Sequence, residues 1–363
     1  MRIKRLLMLA LCALMATLLV SCSEQPIGDY LKNYDYQPEI IEDVTLDLYI
    51  VVGDETASNA IITIQEAINK HTTIKYHTTL NINYVKESEY DTTVVEAVNT
   101  GKADIVLITS TELMNTFTEA GKLADLAAYL DTTDFGKLNT LISDALLEGA
   151  YNADGKLYSI PNDHVIGNYE YVKINTAIAQ GVFNYNDDRL AEINTPEEVD
   201  AFWQEIEAKL AFATTTYQKS EVVQIVSGNY QDKAVIEAEG WVCNVYMTPV
   251  VDADEVNEGA FAVTTSCKKP ERAMEIIYAL STDSVLRNLL LYGEEGKNYT
   301  VDTNGYVVPV ESGENVYRME IRYTGSYFNA HYTVSDLFGF AVTEELCEFG
   351  ELQNADAVLE SNE

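Results

Sequence analysis

Residues Gly101-Lys-Ala-Asp-Ile-Val-Leu-Ile108 end in a nearly continuous apolar run. A strand that is apolar on both faces is typical of a parallel sheet with helices on both sides. Two earlier stretches, 44–52 and 81–85, are rich in β-branched residues and predict two more strands. Helical spacing after Ser58 and over 93–99 predicts a helix in each interval between these strands. The order strand, helix, strand, helix, strand predicts an α/β domain with right-handed crossovers.

A second, helix-rich part of the chain begins near Tyr171. Its strongest signal is Thr195-Pro-Glu-Glu198, which combines a capping box with a proline at the first helical position. Apolar residues then follow on one face as far as Leu210, so Trp203 is interpreted as a core residue. Further strands are predicted at 222–226 and 241–247, and further helices from Pro270 and over 285–292.

The N-terminus carries an export signal. Basic residues at positions 2, 4 and 5 precede an apolar run over 6–20, which is shorter than the roughly 20 residues needed to cross a bilayer. The run ends in Leu19-Val-Ser-Cys22, which resembles the bacterial lipobox, in which the cysteine is lipidated and becomes the mature N-terminus. The alternative is ordinary signal cleavage with Cys22 as a bystander. A polar tether over 23–43 follows, so we expect an exported protein, lipid-anchored on the outer face of the cell membrane.

The chain is strongly acidic, with a formal charge of −35, and 47% of its residues are hydrophobic. Its 363 residues are enough for two domains, each with its own core. The negative charge excludes nucleic-acid binding and leaves the N-terminal lipid as the expected contact with a membrane. Apart from Cys12 and Cys22 there are three cysteines, Cys243, Cys267 and Cys347, which we expect to be buried thiols.

The sequence contains no motif of a known catalytic machinery. It lacks GxSxG, HExxH, a Walker loop and GxGxxG, and its four histidines are scattered. We therefore expect a protein that is not an enzyme, with no catalytic residues, no cofactor and no metal. The paired carboxylates of a glycoside hydrolase stay open as an alternative, because the fold and not the sequence spacing would bring them together.

Three groups of segments, in order along the chain, carry a family resemblance. The first is the segment 101–108, and the second is Asp154-Gly-Lys-Leu-Tyr-Ser-Ile-Pro161 with Tyr169-Glu-Tyr-Val-Lys-Ile-Asn-Thr176. The third comprises Gly259-Ala-Phe-Ala-Val263, Lys269-Pro-Glu-Arg-Ala-Met-Glu-Ile-Ile277, the segment 283–293 and Gly296-Lys-Asn-Tyr299. In this order they resemble the extracellular solute-binding proteins of ABC importers, of the family 1 carbohydrate type. The resemblance implies an α/β, two-lobed, periplasmic-binding-protein-like fold of type II.

The resemblance also implies how the chain is divided. We expect a signal and lipobox over 1–22, a tether over 23–43, a first lobe over 44–165 plus 259–310, a second lobe over 166–258 plus 311–343, and an acidic tail over 344–363. Only about 30 residues separate the helix of Trp203 from the strand of Trp241, and the closing helices common in the family are missing after Tyr332. The second lobe is therefore predicted to be reduced.

In open α/β sheets, ligands lie outside the carboxyl ends of the strands. Sugars need carboxylates and amides for their hydroxyls and aromatic rings for their apolar faces. The predicted ligand-binding residues lie after the first strand and the buried strand, at the crossing between lobes, and in the second lobe: Asp54, Glu55, Thr109, Ser110, Asn162, Asp163, Asn168, Tyr169, Trp241 and Tyr246.

Several of these residues have an alternative interpretation. Asp54 and Thr109 could simply cap the helices that follow them. Either Tyr169 or its neighbour Tyr171 is expected in the core, and Trp241 could be a core residue too. His164, in the crossing, is interpreted as a hydrogen-bonded hinge residue.

The expected function is that of a monomeric solute-binding protein. It would deliver a small ligand, a sugar or oligosaccharide, to ABC permease subunits by hinge closure of its two lobes. One alternative is a degenerate binding-fold lipoprotein that acts as a sensor or partner subunit without its own transport ligand. Another is a surface glycan hydrolase or adhesin.

Overall fold

A computed structural model describes residues 42–164, 167–182, 187–212, 216–229, 232–326 and 348–349. The predicted signal, the lipidation site Cys22 and nearly all of the tether lie outside these residues, as does Cys347. In the described ranges, no helix combines the length and the apolar character required to span a bilayer.

The strands are β1 Val44–Val52, β2 Thr78–Lys86, β3 Ile105–Ile108, β4 Ile160–Pro161, β5 Tyr169–Asn175, β6 Val223–Gly228, β7 Trp241–Val245, β8 Val250–Val251, β9 Ala260–Val263, β10 Tyr299–Val301, β11 Val307–Pro309 and β12 Glu348–Phe349. The helices are α1 Ser58–Tyr76, α2 Tyr90–Asn99, α3 Thr111–Glu119, α4 Ala127–Leu130, α5 Leu138–Leu141, α6 Asp144–Ala150, α7 Thr176–Val182, α8 Pro196–Leu210, α9 Lys219–Val222, α10 Asp232–Ala238, α11 Ala253–Asn257, α12 Pro270–Thr282 and α13 Ser284–Tyr292. Short 3-10 helices lie at Glu87–Glu89, Asp187–Glu192 and Ile321–Tyr323.

The first sheet has the strand order β2-β1-β3-β9-β4. Strand β1 pairs in parallel with β2 and with β3, whereas β9 is antiparallel to both β3 and β4. All four residues of β3 are buried, as the uninterrupted apolar run predicts. The three parallel strands, β1, β2 and β3, are therefore the three strands that the sequence predicts for this sheet.

The helices of the first lobe follow their sequence signals closely. Helix α1 buries Ala60, Ile64 and Ile68 at helical spacing. Ser58 is its first residue and not its cap, since Ala57 occupies the N-cap position without a side-chain hydrogen bond. Proline begins α12, and Gly293 ends α13 with a φ of 83°, a backbone conformation that glycine adopts readily.

The second sheet is small and wholly antiparallel, with the order β6-β5-β7. Helix α8 covers it and has the predicted capping box: the Thr195 hydroxyl accepts a hydrogen bond from the Glu198 N–H, and the Glu198 carboxylate accepts one from the Thr195 N–H. Trp203 is half-buried and packs against the core of this lobe, as predicted.

Two main clusters of buried apolar side chains define the two cores. The first core draws its residues from 44–160 and 251–323, and the second core draws them from 172–246. Tyr317 and Tyr323 belong to the first core, although the sequence analysis assigned 311–343 to the second lobe. These aromatic side chains are buried against the first sheet, whose larger apolar surface is available to them.

Cys243 and Cys267 are buried free thiols, and burial raises the pKa of each. Both therefore behave as the structural thiols that the sequence predicts. Of the predicted acidic tail, the structure describes only Glu348–Phe349, which pairs in parallel with Val250–Val251.

Candidate ligand-binding site

Strands β1, β2 and β3 end at one edge of the first sheet, at Val52, Lys86 and Ile108. We call it the carboxyl edge. Strand β9 starts at this edge and β4 ends there, because Ala260 is paired with both Ile108 and Pro161. We call the segment 162–168, which leads from β4 to the second lobe, the crossing. It therefore leaves from the edge where ligands of α/β sheets bind.

The loop after β1 is held by its backbone. The Lys86 ammonium donates hydrogen bonds to the carbonyls of Gly53, Asp54 and Thr56 at 3.1, 2.7 and 2.8 Å. The side chains of Asp54 and Glu55 are exposed, and Asp54 does not cap α1. Two carboxylates are therefore presented to solvent from a fixed loop.

The loop after β3 contains Thr109 and Ser110, both half-buried. The Ser110 hydroxyl caps α3 by accepting a hydrogen bond from the Leu113 N–H at 3.2 Å. The Thr109 hydroxyl lies 3.5 Å from the Asp91 carboxylate, the limit of a hydrogen bond. Ser110, and not Thr109, is thus the N-cap of α3.

A segment that the sequence analysis missed runs along this edge. This strap, Val316–Tyr323, accepts hydrogen bonds from the Ala57 N–H at the Val316 carbonyl and from the Gly53 N–H at the Arg318 carbonyl, both at 2.9 Å. Near its other end, the Asn162 side-chain amide donates to the Arg322 carbonyl at 2.9 Å. The strap therefore ties the loop after β1 to the crossing.

One signal could have revealed the strap. Its apolar residues alternate with polar ones at positions 317, 319, 321 and 323, which is a strand pattern. The alternation does not identify the surface that the strap covers, because its partners at Gly53 and Asn162 are far away in sequence.

The first half of the crossing is buried. The Asn162 N–H donates to the Gly259 carbonyl at 2.7 Å, and the fully buried Asp163 carboxylate accepts a hydrogen bond from the Ser326 hydroxyl at 3.1 Å. His164 Nδ1 lies 2.8 Å from the Asn162 carbonyl, which can only accept, so Nδ1 carries the proton. Burial lowers the pKa of His164 against the hydrogen bond to Asn162, and the Arg322 charge adds to the lowering, so the neutral form of the ring is favoured.

The second half of the crossing is fastened to the returning chain. Asn168 and Val250 exchange two backbone hydrogen bonds of 2.8 and 3.1 Å, and the Asn168 amide donates to the Asp252 carboxylate at 3.1 Å. The Gly167 N–H donates to the Glu255 carboxylate at 2.6 Å. Asn162 and Asn168 therefore hold the outgoing chain, at the crossing, against the returning chain over 250–259.

Glu255 makes this junction sensitive to pH. Burial raises the pKa of its carboxyl to about 7, with help from Asp252 and Glu258 and against the hydrogen bond from Gly167. A pKa above that of the unfolded chain means that the stabilisation from this group is complete at low pH and is lost as the pH rises through about 7.

The Glu255→Gln variant should therefore be more stable than the parent at pH 8, by about 1–3 kcal/mol, and nearly equal to it at pH 4. The glutamine carbonyl can still accept the Gly167 N–H but never ionises. Denaturant unfolding at both pH values measures the difference. Asp254→Asn, an exposed change on the same helix, should have little effect at either pH, and equal stability of Glu255→Gln and parent at pH 8 would contradict the prediction.

In the second lobe, Tyr169 and Tyr246 lie near the crossing. Tyr169 is buried and stacks on Tyr171, with ring centroids 5.9 Å apart. The Tyr246 N–H donates to the Glu170 carbonyl at 2.7 Å, and burial, together with the Glu170 charge, raises the pKa of its phenol to about 12. Both tyrosines of the alternating pair 169 and 171 are thus in the interior.

Trp241 is not brought to the crossing. It pairs with Asn175, at the other end of β5 from Tyr169, and a strand of this length spans about 20 Å. Its half-buried ring lies under the Lys173 ammonium, 4.4 Å from the centroid. The other predicted residues group at the carboxyl edge and at the crossing.

Comparison with known proteins gives the fold a context. No protein-family model and no curated protein matches the chain. Among solved structures, the N-glycan transport solute-binding protein (NgtS) of Streptococcus pneumoniae in complex with Man5GlcNAc has a TM-score of 0.53 at 14% identity, covering 87% of each chain. A second structure of that protein has a TM-score of 0.52 at 15% identity, covering 87% of this chain and 82% of that one. Its Man1GlcNAc complex has a TM-score of 0.51 at 14% identity, covering 81% and 80%. The chain therefore has the two-lobed α/β fold of an extracellular solute-binding protein, which the sequence resemblance implied.

Proposed function

We propose that this chain is an exported, lipid-anchored solute-binding protein that captures a sugar or oligosaccharide and passes it to the permease subunits of an ABC importer. The fold of a bacterial protein that binds N-glycan fragments supports this function. The lipobox-like Leu19-Val-Ser-Cys22 supports the anchor, and the acidic surface argues against anionic ligands.

The observation that carries the proposal is the fastened crossing. Two separate cores are joined by two passages of chain that pair at Asn168 and Val250. Gly167, with a φ of 106°, lies immediately before this pair, where backbone rotation is easiest. Such a junction lets two lobes rotate about a few residues and close on a ligand, while side-chain hydrogen bonds keep the passages aligned.

The proposed ligand contacts that can be named lie on the first lobe. Asp54 and Glu55 on the first lobe are exposed carboxylates that can each bind a pair of sugar hydroxyls, and Thr109 lies at the same edge. Closure would be favourable because residues of the second lobe reach the ligand only in the closed form.

Calorimetric titration with neutral oligosaccharides, starting with Man5GlcNAc, tests binding, and small-angle scattering tests closure. We expect saturable heat and a smaller radius of gyration with ligand. Trp203 and Trp241 are the two tryptophans of the chain and both lie in the second lobe, so a change in their fluorescence reports that lobe.

Site residues are tested with the double variant Asp54→Asn and Glu55→Gln. It should weaken binding about tenfold or more, because each carboxylate loses charge-assisted hydrogen bonds. Glu271→Gln is the matched control: Glu271 is exposed in the first turn of α12, which follows β9 at the opposite edge of the sheet. Equal affinity of the double variant and this control would contradict the assignment.

The sensor or partner alternative has two observations in its favour. Among the described residues, the second sheet has three strands, all antiparallel, and the strap covers part of the carboxyl edge. A folded protein with no heat signal and no change in radius of gyration across the panel would favour this alternative over transport.

A further inference from the structure

A cavity of about 360 Å³ lies in the first lobe, beside the strap. Its walls are the end of α13, the β10–β11 hairpin and the strap, and its lining includes Tyr292, Tyr299, Tyr317 and Arg318. None of the ten predicted ligand-binding residues lines it. Its size falls within the range of about 300–1,000 Å³ that is typical of small-molecule sites.

The walls of this cavity are fixed by hydrogen bonds. The Tyr317 hydroxyl donates to the Leu290 carbonyl at 2.7 Å. The Asn298 amide donates to the Asn315 carbonyl at 3.0 Å and accepts from the Glu294 N–H at 2.9 Å. Because these polar groups are already satisfied within the protein, the cavity keeps its shape without a ligand.

The lining combines the half-buried ring of Tyr292, which is backed by the buried Tyr299, with charged groups of both signs. The rings of Tyr292 and Tyr299 lie 5.6 Å apart and are tilted by 53°. The Arg318 guanidinium gives one hydrogen bond to the Tyr317 carbonyl and one to the exposed Glu311, out of the five N–H groups it possesses. The Glu320 carboxylate, exposed and paired with Arg322, supplies acceptors at the same cavity.

This combination is the chemistry of sugar recognition. The accessible part of the Tyr292 ring suits the apolar C–H side of a pyranose ring, and a guanidinium with a carboxylate suits neighbouring hydroxyls, which both donate and accept. The paired charges leave no excess positive charge for a phosphate. We propose that this cavity binds one neutral sugar residue, free or at the end of an oligosaccharide, as a second site whose lining shares no residue with the predicted ligand-binding set. The chemistry of the cavity carries this inference, independently of any transport role.

Methionine methyl groups allow the two sites to be observed separately. Met319 lines the cavity, whereas Met247 is exposed just after β7, near the crossing. We would label the full chain with ¹³C-methyl methionine, identify the Met319 signal by its loss in Met319→Leu, and titrate with mannose and N-acetylglucosamine. The expected result is a saturable shift of the Met319 resonance by at least one of these sugars.

Two variants test the assigned contacts. Tyr292→Ala removes an aromatic face and should weaken the Met319 response at least fivefold. Glu320→Gln, which removes the carboxylate charge and its ion pair with Arg322, should weaken it about threefold or more. Tyr306→Ala is the control, because Tyr306 lies on the same hairpin loop outside the lining. Unchanged Met114 and Met274 signals establish that each variant is folded.

An unshifted Met319 resonance at saturating concentrations of both sugars would overturn the proposal. The proposal would also be overturned if Tyr292→Ala and Glu320→Gln both bound the sugar as tightly as the Tyr306→Ala control. A Met319 shift without any response of Met247 or of tryptophan fluorescence would support the cavity site while counting against the transport function. Failure of the cavity proposal can therefore be distinguished from failure of the transport proposal.

Discussion

Replacing Gly259 by alanine should lower the free energy of unfolding by about 3 kcal/mol or more. Gly259 has a φ of 141°, which residues with a side chain rarely adopt, and an added Cβ would overlap the Arg322 carbonyl oxygen. That oxygen belongs to the strap backbone and already accepts the Asn162 amide, so it cannot move aside without breaking this hydrogen bond. The strap would therefore have to detach locally from the carboxyl edge.

Gly296→Ala is the matched control for this prediction. Gly296 also has a positive φ, of 80°, but nothing lies within 4 Å of the position of its Cβ. It should cost only the backbone strain, about 1–2 kcal/mol. Denaturant unfolding followed by circular dichroism measures both variants, and a loss for Gly259→Ala no larger than that of the control would show that the strap does not press on this glycine.

The second large effect is expected at Asp283, which joins two helices. One carboxylate oxygen caps α13 by accepting the Val285 and Leu286 N–H groups at 3.1 and 3.3 Å. The other accepts hydrogen bonds of 2.7 Å each from three side chains of α1, namely His71, Lys75 and Tyr76. Asp283 itself is only 6% exposed, so its removal leaves several donors without a partner.

Asp283→Ala should therefore destabilise the protein by about 2–4 kcal/mol, from the lost cap and the lost charge-assisted hydrogen bonds. Lys75 is half-exposed and contributes the smaller part. Asp283→Asn, which can still cap α13, should lose less. Asp302→Ala, in a turn where the carboxylate accepts the backbone N–H groups of Asn304 and Tyr306 and bridges no helices, should lose least. The reverse order of the three variants would contradict this account of the site.

The pH dependence of the Asp283 effect has a defined sign. Burial alone would raise the pKa of this carboxyl, but the hydrogen bonds from Lys75, His71 and Tyr76 outweigh it and hold the pKa well below its usual range. The stabilisation is then present at neutral pH and is lost as the pH falls below the ordinary value of about 4. The stability gap between the parent and Asp283→Asn should narrow in acid.

Much of the fold could be predicted because its signals are local. The apolar run of β3, the helical spacing of α1 and the capping box of Thr195 each lie within a few residues of one another. Burial of a strand on both faces, or the capping of a helix end, requires particular residue types at that place in the chain. The two lobes and the crossing, in contrast, were predicted from the family resemblance of segments spread along the chain.

The candidate site could be predicted only in part. Placing Asp54, Glu55 and Thr109 at the carboxyl edge needs no more than the ends of two strands. The position of Trp241 depends on the register of β7 against β5, which pairs it with Asn175, and no residue near Trp241 encodes this pairing. Whether Ser110 or Thr109 caps α3 depends on the residue at which the helical backbone conformation begins, and the sequence does not fix this position to within one residue.

Local residue patterns, then, were enough to predict most of the secondary-structure order of the first lobe and the loops that end at the carboxyl edge, while the two-lobed fold was implied by the family resemblance. Folding in three dimensions decided what covers that edge and what the crossing residues do. The strap meets Gly53 and Asn162 across 265 and 160 positions of sequence respectively, and the cavity beside it combines an α-helix end with a hairpin. Contacts of this kind depend on the shape of the apolar surface that the assembled sheet and helices leave exposed. A local residue pattern does not determine that shape.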